Sequence, residues 1–411
     1  MVETTYDATT AGSSWSLAPS GDSFALTVSG YSDQLGRLLK QVVEPVVTCL
    51  KQKQKCMWAD PQRFEVMKDE MKRGFENSKK SSPHQRAAKR LGEIVAKKSW
   101  STDRLLYELS LSDVTLDAVA AHVTQLFERV FIEGFVHGNT SPDEAKKFLD
   151  IVTVALSPVA LPENERELQE VLKLENGLIF AEAHTNPEDT NHAIELYYQS
   201  PTYGMKTDLL AALFGQMASE PAFDQLRTKE QLGYIVALRP KSMGGTFPPN
   251  IPGMAVLIQS SVKDPEGLEL SARHFVDGFV ANLTNGYDAK VFESFKTSVL
   301  DSILEKETSV GEQTIRFWGE IKKKRYDWTR RDKLVETLKP ITLKEVTEYA
   351  KELTKLQSHS LAVWIYGKGM EPPTELDAIE GARGRTRIHS VTTFKKTPPV
   401  YWPNEIPKAQ Q

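Results

Sequence analysis

The sequence contains two copies of one pattern, offset by 227 to 229 residues, and this duplication constrains the fold more than any other feature. Leu91-Gly92-Glu93-Ile94 recurs as Trp318-Gly319-Glu320-Ile321. Phe135-Val136-His137-Gly138 recurs as Trp364-Ile365-Tyr366-Gly367. Long copies in register are typical of a duplicated domain, whereas solenoid repeats have much shorter periods. We therefore expect two homologous domains.

The apolar spacing of the two copies agrees with the duplication. Four apolar residues of the first copy are 3, 4 and 4 positions apart: Phe64, Met67, Met71 and Phe75. The equivalent residues of the second copy are also apolar: Phe292, Phe295, Val299 and Ile303. This spacing predicts one face of an amphipathic helix in each copy.

The second copy is complete and gives the order of elements. Residues 177–184 and 192–199 alternate apolar and polar side chains like paired strands, and residues 233–238 and 254–260 predict a hairpin. Helices are predicted over residues 205–217, 265–283, 288–305, 309–323 and 343–354, followed by a strand at 360–366. This order predicts an α+β domain with an antiparallel-rich sheet covered by helices.

The first copy differs at its start. Ala11-Gly12 matches Leu232-Gly233 at an offset of 221, and residues 24–29 take the place of the second hairpin strand. The opening strand pair and helix have no counterpart, so about 45 residues of the first domain are expected to lie upstream. Such a truncation predicts an open sheet edge and an uncovered apolar surface, and it indicates a fragment.

A linker separates the copies and gives the domain limits. Pro158 and Pro162 precede a polar segment, which is typical of a connection between domains. We therefore predict one domain at residues 1–160, lacking its opening strands and helix, and a complete one at 161–411.

Composition excludes several classes of protein. The net charge of −4 gives no bulk attraction to nucleic acid or to an anionic membrane, and no apolar run approaches the ~20 residues of a membrane span. Cys49 and Cys56 are the two cysteines, which favours reduced thiols in a cytoplasmic protein.

Common catalytic motifs are missing from the sequence. It contains no Gly-x-Ser-x-Gly, phosphate-binding loop or helical His pair of a zinc site. His184 and His192 bracket Glu188-Asp189 in a predicted loop, but a metal site there would need loop geometry that the spacing does not supply. The run Lys322-Lys323-Lys324-Arg325 ends a predicted helix, and a solvated helix C-terminus is favoured over polyanion binding.

One segment breaks the symmetry between the copies. Arg227 and Tyr234 lie where a helix ends and a strand begins, and the first copy has Tyr6 and Ser13 at these positions. A guanidinium and a phenol can both donate hydrogen bonds to a carbonyl on which negative charge develops. The same pair could instead cap backbone carbonyls or pack its ring.

Several runs resemble the insulinase family of inverted-motif zinc peptidases. The longest is Ser219-Glu220-Pro221-x-Phe223-x-x-Leu226-Arg227-Thr228-Lys229-Glu230-Gln231-Leu232-Gly233-Tyr234. Others are Val28-Ser29-Gly30-Tyr31-Ser32-Asp33, Arg63-Phe64-Glu65, Val136-His137-Gly138-Asn139, Glu195-Leu196-Tyr197-Tyr198-Gln199 and Trp318-Gly319-Glu320-Ile321. The resemblance implies four homologous domains in two halves around a substrate chamber, with this chain as the third and fourth.

The resemblance also implies a division of labour. The family's zinc ligands and glutamate base belong to its first domain, so we expect no metal site in this chain and no activity from it alone. Arg227 and Tyr234 carry over as catalytic, substrate-binding residues that stabilise the tetrahedral intermediate, and Phe223 as a lining of the subsite beyond the cut. The implied partners are an N-terminal catalytic half, which binds Zn²⁺, and peptide substrates.

Two departures leave alternatives open. The family's anion-responsive lysine cluster would fall at Glu305-Lys306-Glu307-Thr308-Ser309, where Lys306 alone is basic, so activation by polyanions is not expected. Because family relatives pair an active chain with a degenerate one, this chain could be a non-catalytic binding or assembly subunit. Peptide specificity and homo-oligomer formation are left open.

Overall fold

The computed structural model describes residues 2–20, 23–51, 60–186, 188–245, 248, 250–355, 359–396 and 400–402. The helices are α1 (Val2–Thr10), α2 (Ser32–Lys51), α3 (Pro61–Ser78), α4 (Pro83–Val95), α5 (Thr102–Ser110), α6 (Leu116–Glu128), α7 (Pro142–Leu156), α8 (Met205–Phe223), α9 (Pro265–Gly286), α10 (Ala289–Leu304), α11 (Val310–Lys322), α12 (Arg330–Leu338), α13 (Leu343–Thr354), α14 (Leu376–Ala382) and α15 (Val391–Lys396). The strands are β1 (Ser14–Ser20), β2 (Ser23–Ser29), β3 (Arg129–Val130), β4 (Val159–Ala160), β5 (Gly177–Ala183), β6 (His192–Gln199), β7 (Ile235–Pro240), β8 (Gly253–Ser260), β9 (Ser360–Tyr366) and β10 (Arg385–Ile388). The described residues also form a 3₁₀ turn at Glu163–Glu165 and a π-helix at Asp224–Lys229. Cys49 is half-buried in α2, and Cys56 lies outside the described residues.

Six strands form one mixed sheet in the order β10-β5-β9-β6-β8-β7. The contacts of β6 with β8 and β9, and of β7 with β8, are antiparallel, while β5 is parallel to β9 and β10. The predicted α+β fold with an antiparallel-rich sheet and the β7–β8 hairpin are confirmed. The expected pairing of β5 with β6 is wrong, because β9 lies between them.

Both faces of this sheet are buried, and β9 shows how. Alternate residues Leu361, Val363 and Ile365 belong to one apolar cluster, while Ala362 and Trp364 belong to the other. Because side chains along a strand point to opposite faces, this division requires helices on both sides of the sheet. Helices α8, α9 and α13 cover one face, and α4 covers the other.

Helix α4 is held on the sheet by apolar packing and by a buried charge cluster. Leu91 and Ile94 of this helix are fully buried. Arg86 and Arg90 each donate two hydrogen bonds to the Glu182 carboxylate on β5, with the shortest at 2.6 Å. Burial raises the pKa of Glu182, but the two guanidinium groups outweigh it and hold this pKa below its usual value. The charges of the two arginines and of Glu182 are therefore compensated by one another within the protein.

The compact units of the structure each include a helix from the other repeat. Unit 1 contains Met1–Phe75, Asp103–Glu167 and Thr308–Trp318, and unit 2 contains Glu76–Thr102, Leu168–Glu307 and Gly319–Gln411. Helix α4 of the first repeat therefore belongs to unit 2, and most of its equivalent α11 belongs to unit 1. The division into domains at residue 160 stays a prediction from the repeat.

Unit 1 combines the antiparallel β1–β2 hairpin with helices. The predicted helix with the methionine stripe is α3, yet Met67 and Met71 are 49% and 53% exposed. In unit 2 the equivalent α10 buries Phe292 in the main core and packs Val299 against it. The same apolar spacing thus forms a helix in both repeats. The apolar face of that helix is packed against a core only in the second repeat.

The position of α4 predicts that a cut at residue 160 would destabilise unit 2. A chain of residues 161–411 loses the buried Leu91, Ile94 and Val95, worth ~1.5–3 kcal/mol each, and leaves Glu182 without its arginines. We expect residues 161–411 to unfold at least ~5 kcal/mol more easily than residues 76–411, which retain α4. Urea unfolding of the two chains tests this, and equal midpoints would contradict the assignment of α4 to unit 2.

Candidate substrate-contacting site

The segment that carries Arg227 is a π-helix that continues α8. Helix α8 passes directly into Asp224–Lys229, where the Glu230 backbone N–H donates to the Gln225 carbonyl five residues earlier at 2.9 Å. Leu226 is fully buried in the main core and anchors this segment. π-Helical turns of this kind are frequent at functional sites.

The structure brings together the three predicted site residues. The guanidinium carbon of Arg227 lies 4.7 Å from the centre of the Phe223 ring and 4.6 Å from that of the Tyr234 ring. Tyr234 is 82% exposed and Phe223 is 42% exposed, while Arg227 is half-buried between them. The cation is thus held by two aromatic faces at the surface.

The guanidinium keeps its hydrogen-bond donors. Within the described part of the chain, no carboxylate or carbonyl accepts a hydrogen bond from Arg227. The neighbouring ion pair joins Lys229 to Asp224 at 2.8 Å instead. Stacking therefore fixes the plane of the group and leaves its N–H donors for a ligand.

Tyr234 reaches Arg227 because of a tight turn. Gln231 has a φ of +54°, and the Leu232 N–H donates to the Leu226 carbonyl at 3.1 Å. At Gly233 a Cβ atom would lie 2.2 Å from the Gln259 carbonyl oxygen on β8. Only glycine permits this approach, which brings the chain back against the π-helix.

A cluster of hydrogen bonds around Glu230 holds the turn in place. The Glu230 carboxylate accepts hydrogen bonds from Ser271 at 2.7 Å, Lys263 at 3.0 Å and Gln225 at 3.3 Å. Burial raises the pKa of Glu230, but these hydrogen bonds outweigh it and hold the pKa below its usual value. The cluster therefore ties the π-helix and the turn to α9.

Sequence reasoning missed the roles of Gly233, Glu230 and Gln259. The Gln259 amide oxygen lies 2.8 Å from Nδ1 of His84 and accepts from the His84 N–H at 3.1 Å. Gly233 and Glu230 lie within the run that resembles the insulinase family, and this resemblance was the one sequence feature that could have indicated their roles. Nothing in the sequence around Gln259 indicates that its backbone faces Gly233.

The histidines considered for a metal site have other partners. His184 Nε2 lies 2.8 Å from the Ser81 carbonyl oxygen, and His192 Nδ1 accepts from the Gly367 N–H at 3.0 Å. Burial lowers the pKa of His192. Across the described ranges, no three His, Cys, Asp or Glu side chains are grouped to hold a metal ion. The residues described in this chain therefore do not fit a zinc ion.

Family models match most of the chain. The middle or third domain of peptidase M16 matches residues 1–108, and the peptidase M16 inactive domain matches residues 113–251. Domain 4 of the C-terminal lobe of PqqF-like PQQ synthase matches residues 213–318.

The described helices include none long and apolar enough to cross a membrane.

Relatives extend the match. Human insulin-degrading enzyme is 30% identical over 380 residues, which are 90% of this chain and 35% of that protein. The nardilysin-like protein of Arabidopsis thaliana is 29% identical over 403 residues (95% and 38%), and its peroxisomal insulin-degrading enzyme-like 1 is 28% identical over 417 residues (97% and 41%). The chain thus spans about two fifths or less of these relatives.

Solved structures show the same fold. Pitrilysin matches with a TM-score of 0.79 at 18% identity, over 98% of this chain and 40% of pitrilysin. The M16 inactive domain from Pseudomonas fluorescens matches with a TM-score of 0.62 at 16% identity, over 89% of this chain and 83% of that one.

The chain belongs to the M16 peptidase family. It carries the family's middle and C-terminal domains and is homologous to insulin-degrading enzyme.

Gly233→Ala tests the close approach at the turn. The new Cβ would overlap the Gln259 carbonyl, so we expect a loss of about 2–3 kcal/mol in the free energy of unfolding. Gly278→Ala is the matched control, because no heavy atom lies within 4 Å of its Cβ position in α9, and it should be neutral or slightly stabilising. Equal effects of the two changes in urea unfolding would contradict this geometry.

Glu230 predicts a pH-dependent contribution to stability. Because its pKa is lowered in the folded state, its contribution is present above the ordinary value of about 4.5 and is lost as the pH falls through the folded value. Glu230→Gln should therefore destabilise the protein at pH 7, and the difference from the wild type should shrink as the pH falls below about 4.5. Glu371→Gln, at an exposed position, is the control in the same unfolding measurements.

Proposed function

We propose that this chain is the C-terminal, substrate-contacting half of a zinc metalloendopeptidase that degrades peptides. The observation that carries the proposal is the Arg227 guanidinium, stacked between the exposed rings of Phe223 and Tyr234 with its donors unused. Membership of the M16 family and homology to insulin-degrading enzyme support peptide hydrolysis as the activity of the whole protein.

The geometry suits a peptide carbonyl. As water adds to the scissile carbonyl, its oxygen gains negative charge, which N–H donors of Arg227 and the Tyr234 hydroxyl would stabilise. Stacking fixes the guanidinium before the substrate arrives, so little order is lost in the transition state. The exposed Phe223 face would contact the substrate side chain beyond the cut.

The zinc ion belongs, in this proposal, to an N-terminal catalytic half, where it would activate the attacking water. No step here is assigned to zinc ligands of this chain, because the described residues do not fit the ion. A cytoplasmic location stays a prediction, and the peroxisomal Arabidopsis relative shows that other compartments occur in the family.

Substitutions at the site test the proposal in the intact enzyme. Arg227→Ala should lower kcat/KM by about 10²-fold or more, because it removes a donor to the developing oxyanion. Tyr234→Phe keeps the ring that stacks on Arg227 and removes the hydroxyl alone, so about a tenfold or greater loss measures the hydroxyl itself. Arg239→Ala, at an exposed arginine of β7, is the control and should leave kcat/KM within twofold.

The interpretation fails if both site variants, folded as judged by unchanged thermal unfolding, retain kcat/KM within twofold. It also requires that the 411-residue chain alone cleaves no peptide. Zinc-dependent cleavage by the purified chain would contradict the assignment of catalysis to another part of the protein.

A non-catalytic binding or assembly subunit is the second candidate. The match of residues 113–251 to the M16 inactive domain favours it. In that case the chain would bind an active M16 chain, and Arg227→Ala would weaken peptide capture without changing kcat of the complex. A fall in kcat at saturating peptide would favour the first function.

A further inference from the structure

Unit 2 contains an open cavity of about 520 Å³ that the proposed peptidase function does not use. It lies among α8, α10, α12 and the turn after α11. One wall is apolar and is formed by Leu209, Ala212, Val299, Ile303 and Leu334. The volume is that of a site for a small organic molecule.

The cavity lining also contains cations. Lys323, Arg325 and Arg330 line the cavity together with the acidic Asp208. Arg330 donates to Asp208 at 2.9 Å, and Arg325 donates to Glu320 at 2.9 Å, so each arginine has its own carboxylate. In the ranges that the structure describes, the exposed side chain of Lys323 has neither a hydrogen bond nor an ion pair. The three cations therefore share two carboxylates, those of Asp208 and Glu320.

The local chain conformation presents these cations to the cavity. Lys324 and Tyr326 have φ angles of +51° and +50°, which non-glycine residues rarely adopt. The Arg325 and Tyr326 N–H groups both donate to the Glu320 carbonyl, at 3.0 and 3.3 Å, and so fold the turn back over the end of α11. Backbone strain of this kind is common where side chains must be positioned for a ligand.

The surroundings of Lys323 are electropositive. Partial desolvation of its ammonium lowers the pKa of Lys323, and the charges of Arg325 and Arg330 lower it further. Their effect outweighs that of Asp208 and Glu320, which act in the opposite direction. An anion placed beside this ammonium would relieve the repulsion.

We propose that the cavity binds a small organic phosphate. The phosphate group would pair with Lys323 beside the exposed hydroxyls of Ser242 and Ser302, and the organic part would lie against the apolar wall. The positive charge of Arg330 offsets the Asp208 carboxylate, whose two oxygens accept hydrogen bonds from Arg330 and Asn250. The cavity lining contains none of residues 305–309, so this site is separate from the segment where the family's lysine cluster would fall.

Calorimetric titration of the full chain with phenyl phosphate at low salt tests the proposal. Lys323→Gln should raise Kd at least tenfold. Lys322→Gln removes the same charge from the adjacent exposed residue, which does not line the cavity, and should leave Kd within twofold. No measurable binding to the wild type, or equal weakening by the two substitutions, would overturn the site.

Further ligands and one further variant test the shape of the cavity. Inorganic phosphate lacks the apolar contact and should bind at least tenfold more weakly than phenyl phosphate. Equal affinity for inorganic phosphate would show that the apolar wall has no role, and equal affinity for benzoate would overturn the preference for phosphate. Ser302→Leu, an exposed change at the rim, should block phenyl phosphate, and unchanged binding would place the ligand elsewhere.

Discussion

Burial of both faces of the six-stranded sheet is the constraint on which unit 2 depends. A strand such as β9, whose residues are all buried, requires an apolar helical layer on each side. Helices from the second repeat supply one layer, and α4 from the first repeat supplies the other. Each compact unit therefore contains a helix that comes from the other repeat of the sequence.

The candidate site is built on the same core. Leu226 and Leu232 are fully buried, one in the π-helix and the other in the turn, and they fix the two segments that bear Arg227 and Tyr234. The exposed aromatic faces then hold a cation that donates no hydrogen bond to the described part of the chain. A rigid, buried support with an exposed polar tip is what binding a carbonyl oxygen requires.

Local elements could be predicted from the sequence, but their partners could not. Helix α13 was expected at residues 343–354 and begins there because Thr342 and Glu345 form a capping box. Alternating side chains identified β5 and β6 but not the insertion of β9 between them, since pairing depends on residues far away in the chain. The run from Phe223 to Tyr234 indicated the site by resemblance. The stacking of Arg227 depends on a π-helical turn and on the approach of Gly233 to β8, which no local pattern specifies.

The shared helix α4 also sets an order of events during synthesis. It emerges from the ribosome before any strand of the sheet that it covers, and β9 ends about 270 residues later. At a synthesis rate of roughly 5–20 residues per second, β9 is finished about 15–50 s after the apolar face of α4 has been made. The apolar face of this amphipathic helix therefore lacks its partner strands while most of these 411 residues are translated.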